Sequence, residues 1–591
     1  MISKISSHPS IETNDDYIFE FINKYLEPLP YDVIHTVLEL VSPNHLVPFL
    51  SAYHLPILRQ YIISEYFNDD VYLCLGQYSF GTQTDRDFEE DEDENVRLQV
   101  PTNDNKWNPL VLNYYYEFET NFFKSDKDGF KLSKKFMSFY EKTLINDLLS
   151  HKELRFKFVE ITCGVKELID LLSNTNSRSI ITSSNKIRLV LTDLEGFKTG
   201  DVKVSYKRLR NKFKVNIHIF KNNLKWLTNL EEIHFCKEIL SDVSNVLVND
   251  NLRTLIISSR FKFPIYEFKL PKHLERFSIR NSELKDSDFL KIKLLESLTH
   301  LNIDHCPLDI SCILCVILNN LPHLKYLKIK YCRSVLSPNQ RKIYEDKLIQ
   351  QSSSKLMWPK NLKVIYSDAL LLWTHRSILR KVKWPPNLKR LSLRFLKGLQ
   401  TSLLVFPQTL TDLDLRFYPY YSVWFKPITL RIPRNLLKLV LIGYDFDNII
   451  IKFPQTLIEL NLTKCKRIPF EVIKFPLLLK YLTVDDCEFS YPNEYKHWKD
   501  LNKLTYLSLM KNYIVSLSDW IPPPSLIHLF LSGNRIPNMS NDTLIFGENS
   551  SILLPHLIGL YMYGNHFTSY KNDTHLPNNV DPSTIFSKCR Y

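Results

Sequence analysis

Glycine is scarce in this chain, 12 among 591 residues. That count argues against folds built on glycine-rich phosphate loops, and no phosphate-loop or dinucleotide spacing occurs. Long apolar runs are lacking too. The longest, near Ile310 to Leu318, falls short of the roughly 20 residues a membrane helix needs. The first nine residues, Met1 to Pro9, are polar and hold no apolar core of signal-peptide length. Cysteine is thin, 10 residues spread without a dense framework, the pattern of reduced thiols in a cytoplasmic or nuclear protein. There is no His-Glu-x-x-His, no serine in a nucleophile-elbow setting, and the 17 histidines are scattered. Cys312-x-x-Cys315 has no second pair nearby, so core thiols rather than zinc ligands are expected. These absences lead us to expect a non-catalytic protein with no metal, no cofactor and no membrane span.

Charge is uneven. The formal net charge is +12, yet Asp85 to Glu94 packs eight acids against the single Arg86. A basic remainder suits an acidic protein surface or nucleic acid. No nucleic-acid motif accompanies it, so nucleic acid is not an expected partner. Self-repelling charge keeps a segment extended, and 76–110 reads as an acidic linker.

What the chain holds in abundance is leucine at a fixed spacing. L-x-x-L-x-L occurs at Leu274, Phe277 and Ile279, at Leu298, Leu301 and Ile303, and at Leu324, Leu327 and Ile329. Later copies start at Leu362, Leu388, Leu410, Leu436, Leu457, Leu479, Leu504, Leu526 and Leu557, and earlier ones at Leu230 and Leu252. Successive starts lie mostly 21 to 26 residues apart, with longer steps at insertions such as 333–358. A proline stands shortly before many starts: Pro271, Pro322, Pro359, Pro386, Pro407, Pro433, Pro454, Pro476, Pro524 and Pro555. Phe406-Pro407-Gln408-Thr409-Leu410 recurs as Phe453-Pro454-Gln455-Thr456-Leu457. Three residues after the last apolar position comes Cys306, Cys332, Cys465, Cys487, Asn512, Asn534 or Asn565.

The pattern closely resembles the leucine-rich repeat, in which that last slot takes Asn or Cys. The resemblance implies a buried side chain that satisfies backbone groups where the chain turns out of the strand. The alternating core predicts a short strand with one buried face. One repeat cannot bury that face alone, and stacking on neighbours does. The expected fold class is α/β, a leucine-rich-repeat solenoid with a curved parallel sheet over 221–570. Strand-like Phe156 to Ile161 and Ile187 to Leu191 read as divergent repeats, and 111–150 as helical and aromatic. Residues 1–15 and 571–591 are read as tails.

Strand residues alternate, so positions two, four and six after each start face the concave side. Midway this column is charged: Lys328, Lys330, Arg390, Arg394, Asp412, Asp414 and Arg416. Toward the C-terminus it is aromatic: Tyr481, Tyr506, Met510, Phe530, Tyr561 and Tyr563. Tyr, Phe, Met and Arg are enriched at binding hot spots. Arg390, Arg394, Asp414, Arg416, Tyr481, Tyr506, Phe530, Tyr561 and Tyr563 are therefore the candidate contacts for a target protein. A solvated sheet face with incidental aromatics is the other reading.

Residues 16–75 read as a small helical head. Val33, Val37, Leu40 and Val41 have helical spacing, Ser42 suits an N-cap and Pro43 a first turn. The stretch resembles an F-box at Leu29-Pro30, Asp32-Val33-Ile34, Val37-Leu38, Val41, Ser42-Pro43 and Leu46. It departs downstream, where Tyr53-His54-Leu55-Pro56 replaces the family's Cys-Lys-x-Trp-like stretch. The resemblance implies that Leu29, Pro30, Val33, Ile34, Val37 and Leu46 contact the Skp-type linker of an SCF-type cullin–RING ubiquitin ligase. The chain would then be its substrate-recognition subunit, with the repeats holding a target protein. Two alternatives stay open. One is a leucine-rich-repeat scaffold or regulator without a ligase link, such as a phosphatase or GTPase regulator. The other is an enzyme of unrecognised kind within 76–220.

Overall fold

The computed structural model describes residues 56–66, 72–75, 136–139, 158–193, 226–235, 249–258, 270–280, 294–308, 320–330, 358–367, 384–395, 406–417, 431–447, 451–517, 520–537 and 554–566, with some isolated positions between. The described chain falls into two compact units that divide between Glu283 and Leu284.

In the first unit the strands are β1 (Tyr72–Leu75), β2 (Phe136–Phe139), β3 (Phe158–Gly164), β4 (Lys186–Asp193), β5 (Leu230–Phe235), β6 (Thr254–Ser258) and β7 (Arg276–Arg280). Pairing is parallel from β3 through β7. β1 pairs with both β2 and β3, so it lies between them although it precedes both in sequence. The two divergent repeats expected from sequence are thus real strands, β3 and β4. Two other expectations need correcting. Segment 111–150, expected to be helical, contains β2, and the end of the presumed helical head is β1.

The head supplies helix α1 (Pro56–Tyr66), with Pro56 in the first turn, where a missing amide is harmless. Leu46, Leu50, Leu58, Tyr61 and Ile62 are buried. Leu46, which the F-box resemblance makes a linker contact, is among these buried residues. Leu29, Pro30, Val33, Ile34 and Val37 lie outside the described residues, as do the acidic run and Cys312 and Cys315. Helices α2 (Val165–Ser173) and α3 (Thr175–Ser183) follow β3. The Asn174 side chain caps α3 by accepting from the amides of Asn176 and Ser177.

The second unit carries β8 (His300–Asp304), β9 (Tyr326–Lys330), β10 (Val364–Ser367), β11 (Arg390–Phe395), β12 (Asp412–Phe417), β13 (Lys438–Ile442), β14 (Glu459–Asn461), β15 (Tyr481–Thr483), β16 (Tyr506–Ser508), β17 (His528–Phe530) and β18 (Gly559–Tyr561). Each pairs in parallel with the next, and equivalent repeat positions align, as Leu391 with Leu413 and Leu415 with Leu441. All fourteen L-x-x-L-x-L copies carry a strand, β5 to β18. Their starting leucines are at most 1% exposed. Each such burial contributes roughly 1.5–3 kcal/mol.

Polar groups inside the turns of the C-terminal repeats bind one repeat to the one before. The Asn512 amide donates to the Val484 carbonyl (2.6 Å), and its oxygen accepts the amides of Cys487 (2.8 Å) and Phe489 (3.2 Å). Asn534 donates to the Leu509 carbonyl and accepts from Ile514, while Asn565 donates to Leu531 and accepts from Ile536. The thiols donate in the same way, Cys487 to Leu462 (2.8 Å) and Cys465 to Leu441 (3.2 Å), and the Cys487 sulfur also accepts the Cys465 amide (3.4 Å). Burial pushes the Cys487 thiol well up, which keeps its proton available for donation.

The residue before the slot is left-handed. His305, Gly443, Lys464, Asp486, Lys511, Gly533 and Gly564 all have positive φ. This swings the chain out of the strand and aims the next side chain inward. A second polar column precedes the starting leucine. Thr409 donates to the Leu388 carbonyl (2.8 Å) and Thr456 to that of Leu436 (2.6 Å), which accounts for the threonine in the recurring Phe-Pro-Gln-Thr-Leu. The proline three before the start matters most, because its carbonyl accepts the starting leucine's amide. Pro407, Pro454 and Pro476 do this, as do Pro385 and Pro523, not the Pro386 and Pro524 singled out above.

Candidate protein-binding face

Strand alternation sends leucines to the core and positions two, four and six to the opposite face. In the first unit that face is buried as well. Glu160, Arg188, His234, Thr254 and Ser278 are all nearly inaccessible. Arg188 lies between Glu160 and Glu232, 3.0 Å from each, a cross-strand ion ladder of β3, β4 and β5. Burial, with Arg188 and Arg280 nearby, lowers the His234 pKa to about 3 and keeps it neutral. These groups serve structure rather than recognition.

In the second unit the equivalent face is still buried at His300, Asn302 and Tyr326 on β8 and β9, and it opens further along the array. Over β11 to β14 the charges of its described side chains are matched internally. Arg390 faces Asp412 at 3.6 Å, Arg416 binds Asp414 at 2.9 Å, and Lys438 binds Glu459 at 2.6 Å. Ser392 adds a hydrogen bond to Asp414. Arg394 aligns with Arg416 in the β11–β12 register, and its side chain lies outside the described residues. Three charged candidates, Arg390, Asp414 and Arg416, are thus brought together as a ladder. Exposed pairs of this kind contribute at most about 1 kcal/mol each, but a ligand must compete with them.

Over β15 to β18 the face is aromatic, and the rings form one diagonal stack. Tyr481 and Tyr506 have centroids 6.2 Å apart, Tyr506 and Phe530 4.7 Å, and Phe530 and Tyr561 4.2 Å. The stack shifts from position two on β15 and β16 to position four on β17 and β18. His528, at position two, sits beside Tyr561 with centroids 6.3 Å apart. Burial lowers its pKa and holds it neutral. Gly559 makes room there, since a Cβ would lie 2.5 Å from His528 Nδ1. Phe530, expected as an exposed anchor, is only 7% exposed because its neighbours cover it. Tyr481 at 46% and Tyr563 at 42% are the accessible rings, with Tyr506 and Tyr561 half-buried.

Beyond the rings lies a carboxylate missed by the sequence reading. Asp485, six after Leu479, accepts from the Ser508 hydroxyl (2.6 Å) and the Met510 amide (2.8 Å). Burial pushes its pKa up to about 6 against the pull of those two hydrogen bonds and Lys511. Its signal was in the sequence, an acid in the open-face column between Thr463 and Met510. A separate shallow depression of about 630 Å³ lies off this face, lined by Ser525, Ile527, His556 and Ile558. Among the described residues no group of three or more His, Cys, Asp or Glu could hold a metal. Among them, too, no helix is long and apolar enough to cross a membrane.

Parallel strands stacked at equivalent repeat positions, buried leucines and a backward-bonding Asn/Cys slot define a leucine-rich-repeat fold. No family model and no curated protein matches the chain. Among solved structures it is similar to an internalin from Listeria monocytogenes, at 15% identity over 71% of this chain and 93% of that one, TM-score 0.32. It is also similar to the Toll–Spatzle complex of Drosophila, at 13% identity over 75% and 60%, TM-score 0.37. A third is the APL1 leucine-rich-repeat domain, at 15% identity over 60% and 80%, TM-score 0.30. Values this low leave the fold assignment resting on the repeat geometry above.

Proposed function

We propose that this chain is a protein-binding scaffold whose open face over β15 to β18 holds a segment of a partner protein. The observation that carries this reading is the aromatic stack from Tyr481 to Tyr561, mounted on a rigid sheet and accessible at its edges. Such rings bury large area at small entropic cost. The finer reading is a substrate-recognition subunit of an SCF-type ubiquitin ligase. It is supported by the F-box resemblance at 28–62 standing ahead of leucine-rich repeats. On that reading the chain is cytoplasmic or nuclear and has no chemistry of its own. It raises the effective concentration of its target near a transferring enzyme.

Co-purification of the full chain from cells tests both levels. Tyr506→Ala with Tyr561→Ala should lose the target and keep the Skp-type linker. Leu29→Ala with Pro30→Ala should lose the linker and keep the target. Recovery of targets without any linker from the wild-type chain would leave a scaffold or regulator and remove the ligase reading.

A further inference from the structure

We propose that the partner segment carries a basic side chain, arginine or lysine, that seats against the Asp485 carboxylate. This rests on the protein-binding reading of the same face. The chain as a whole carries +12, yet the open-face columns of β14 to β18 contain no Lys or Arg. They contain two carboxylates, Glu459 and Asp485. Glu459 is bound by Lys438 at 2.6 Å. Asp485 is not matched in this way. One of its oxygens takes both hydrogen bonds, from Ser508 and Met510, which orients the carboxylate. Among the described residues the second oxygen takes no hydrogen bond. Its neighbours on the face, Thr463, Thr483, Ser508, Met510 and Ser532, are neutral. The charges that act on it, Lys511 and Asp486, stand in the turns after β16 and β15 and oppose one another.

A partly buried anion in neutral surroundings is stabilised when a cation arrives, and the raised pKa of Asp485, about 6, reports that deficit. Asp485 lies four residues beyond Tyr481 on its strand line, about 13 Å at 3.3 Å per residue. An extended partner spans that distance in four residues. It can therefore set an apolar residue on the Tyr481–Tyr506 pair and a basic one on Asp485.

Fluorescein-labelled peptide pools provide the probe, random except for a fixed Leu and, four positions on, a fixed Arg, Lys, Gln or Glu. Anisotropy against the full chain should show the Arg and Lys pools binding about ten-fold tighter than the Glu pool. Asp485→Asn keeps the acceptor oxygen for Ser508 and Met510 and should bring all pools to within about two-fold. Its melting curve, unchanged or shifted upward, certifies folding. Equal binding of Arg and Glu pools to wild type, or an undiminished preference in Asp485→Asn, overturns the inference. If Tyr506→Ala with Tyr561→Ala abolishes all binding while Asp485→Asn keeps its preference, only the basic contact falls. If that double variant binds every pool as wild type does, the protein-binding reading of the face falls with it.

Discussion

The rings of Phe530 and Tyr561 lie 4.2 Å apart between centroids, with their planes 2° from parallel. Tyr506 closes the other side of Phe530 at 4.7 Å. Phe530 is thus the support of the patch and its neighbours are the contact. Phe530→Ala should lower stability by about 3 kcal/mol. Tyr561→Ala, at a half-buried ring, should cost only about 1 kcal/mol. Urea unfolding of the C-terminal repeats, read through Trp520 fluorescence, separates them. Equal costs would mean that Phe530 has no supporting role.

The slot residue makes a second prediction. Asn534 is 2% exposed and satisfies three backbone groups, the carbonyls of Leu509 and Leu531 and the amide of Ile514. Asn534→Leu should cost roughly 1–3 kcal/mol through the groups left bare. Asn534→Cys keeps a donor and should cost less. A leucine variant as stable as wild type would contradict the ladder.

Two left-handed glycines should differ sharply when given a methyl group. A Cβ on Gly443 would meet the Phe417 carbonyl oxygen at 1.9 Å, backbone that cannot step aside. A Cβ on Gly533 meets Lys511 Cγ at 3.3 Å, part of a flexible side chain. Gly443→Ala should prevent correct packing of the β12–β13 repeats. Gly533→Ala should cost about 1–2 kcal/mol, the ordinary left-handed strain. Circular dichroism melts of both variants decide this, and similar midpoints would refute it.

Asp485 sets a pH prediction. Burial raises its pKa to about 6, above the unfolded value of about 3.9. The folded state therefore binds this proton more tightly than the unfolded chain does. Above about pH 6 the charged carboxylate costs the folded state about 3 kcal/mol, and below about pH 4 that cost is absent. Asp485→Asn removes it. The variant should melt above wild type at about pH 7.5 and together with it near pH 4. A constant difference across that range would show that Asp485 titrates normally.

Leucine spacing made the array legible, because every copy meets the same demand: three apolar residues on one face of a short strand. Fourteen starts read from sequence are fourteen strands, and Asn534 and Cys465 are buried and hydrogen-bonded as expected. β1 and β2 escaped because Tyr72-Leu73-Cys74-Leu75 and Phe136-Met137-Ser138-Phe139 lack the full motif, and their pairing is set by partners distant in sequence. The left-handed position before the slot was missed since Lys464, Asp486 and Lys511 occupy it as well as glycine. The aromatic before the proline, as in Trp358-Pro359, Phe406-Pro407 and Phe475-Pro476, marks a buried column and was present to be read. On the open face, residue type alone named the aromatics. It could not tell Phe530 as support from Tyr481 as contact, because that depends on the neighbouring strands. Arg390, Asp412, Asp414 and Arg416 looked available for the same reason and are matched with one another.

From Cys465 onward the slot side chains reach backward. Asn565 finishes the repeat of Leu531, Asn534 that of Leu509, Asn512 that of Val484, Cys487 that of Leu462 and Cys465 that of Leu441. A ribosome delivers this chain N-terminus first. The carbonyls of Leu441, Leu462, Val484 and Leu509 therefore wait for the next repeat, one period later, to supply these donors, whereas that of Leu531 already accepts from Asn534. The array matures in the order of its synthesis, one repeat behind the growing end. A stop codon among these C-terminal repeats leaves one unfinished repeat at the new C-terminus.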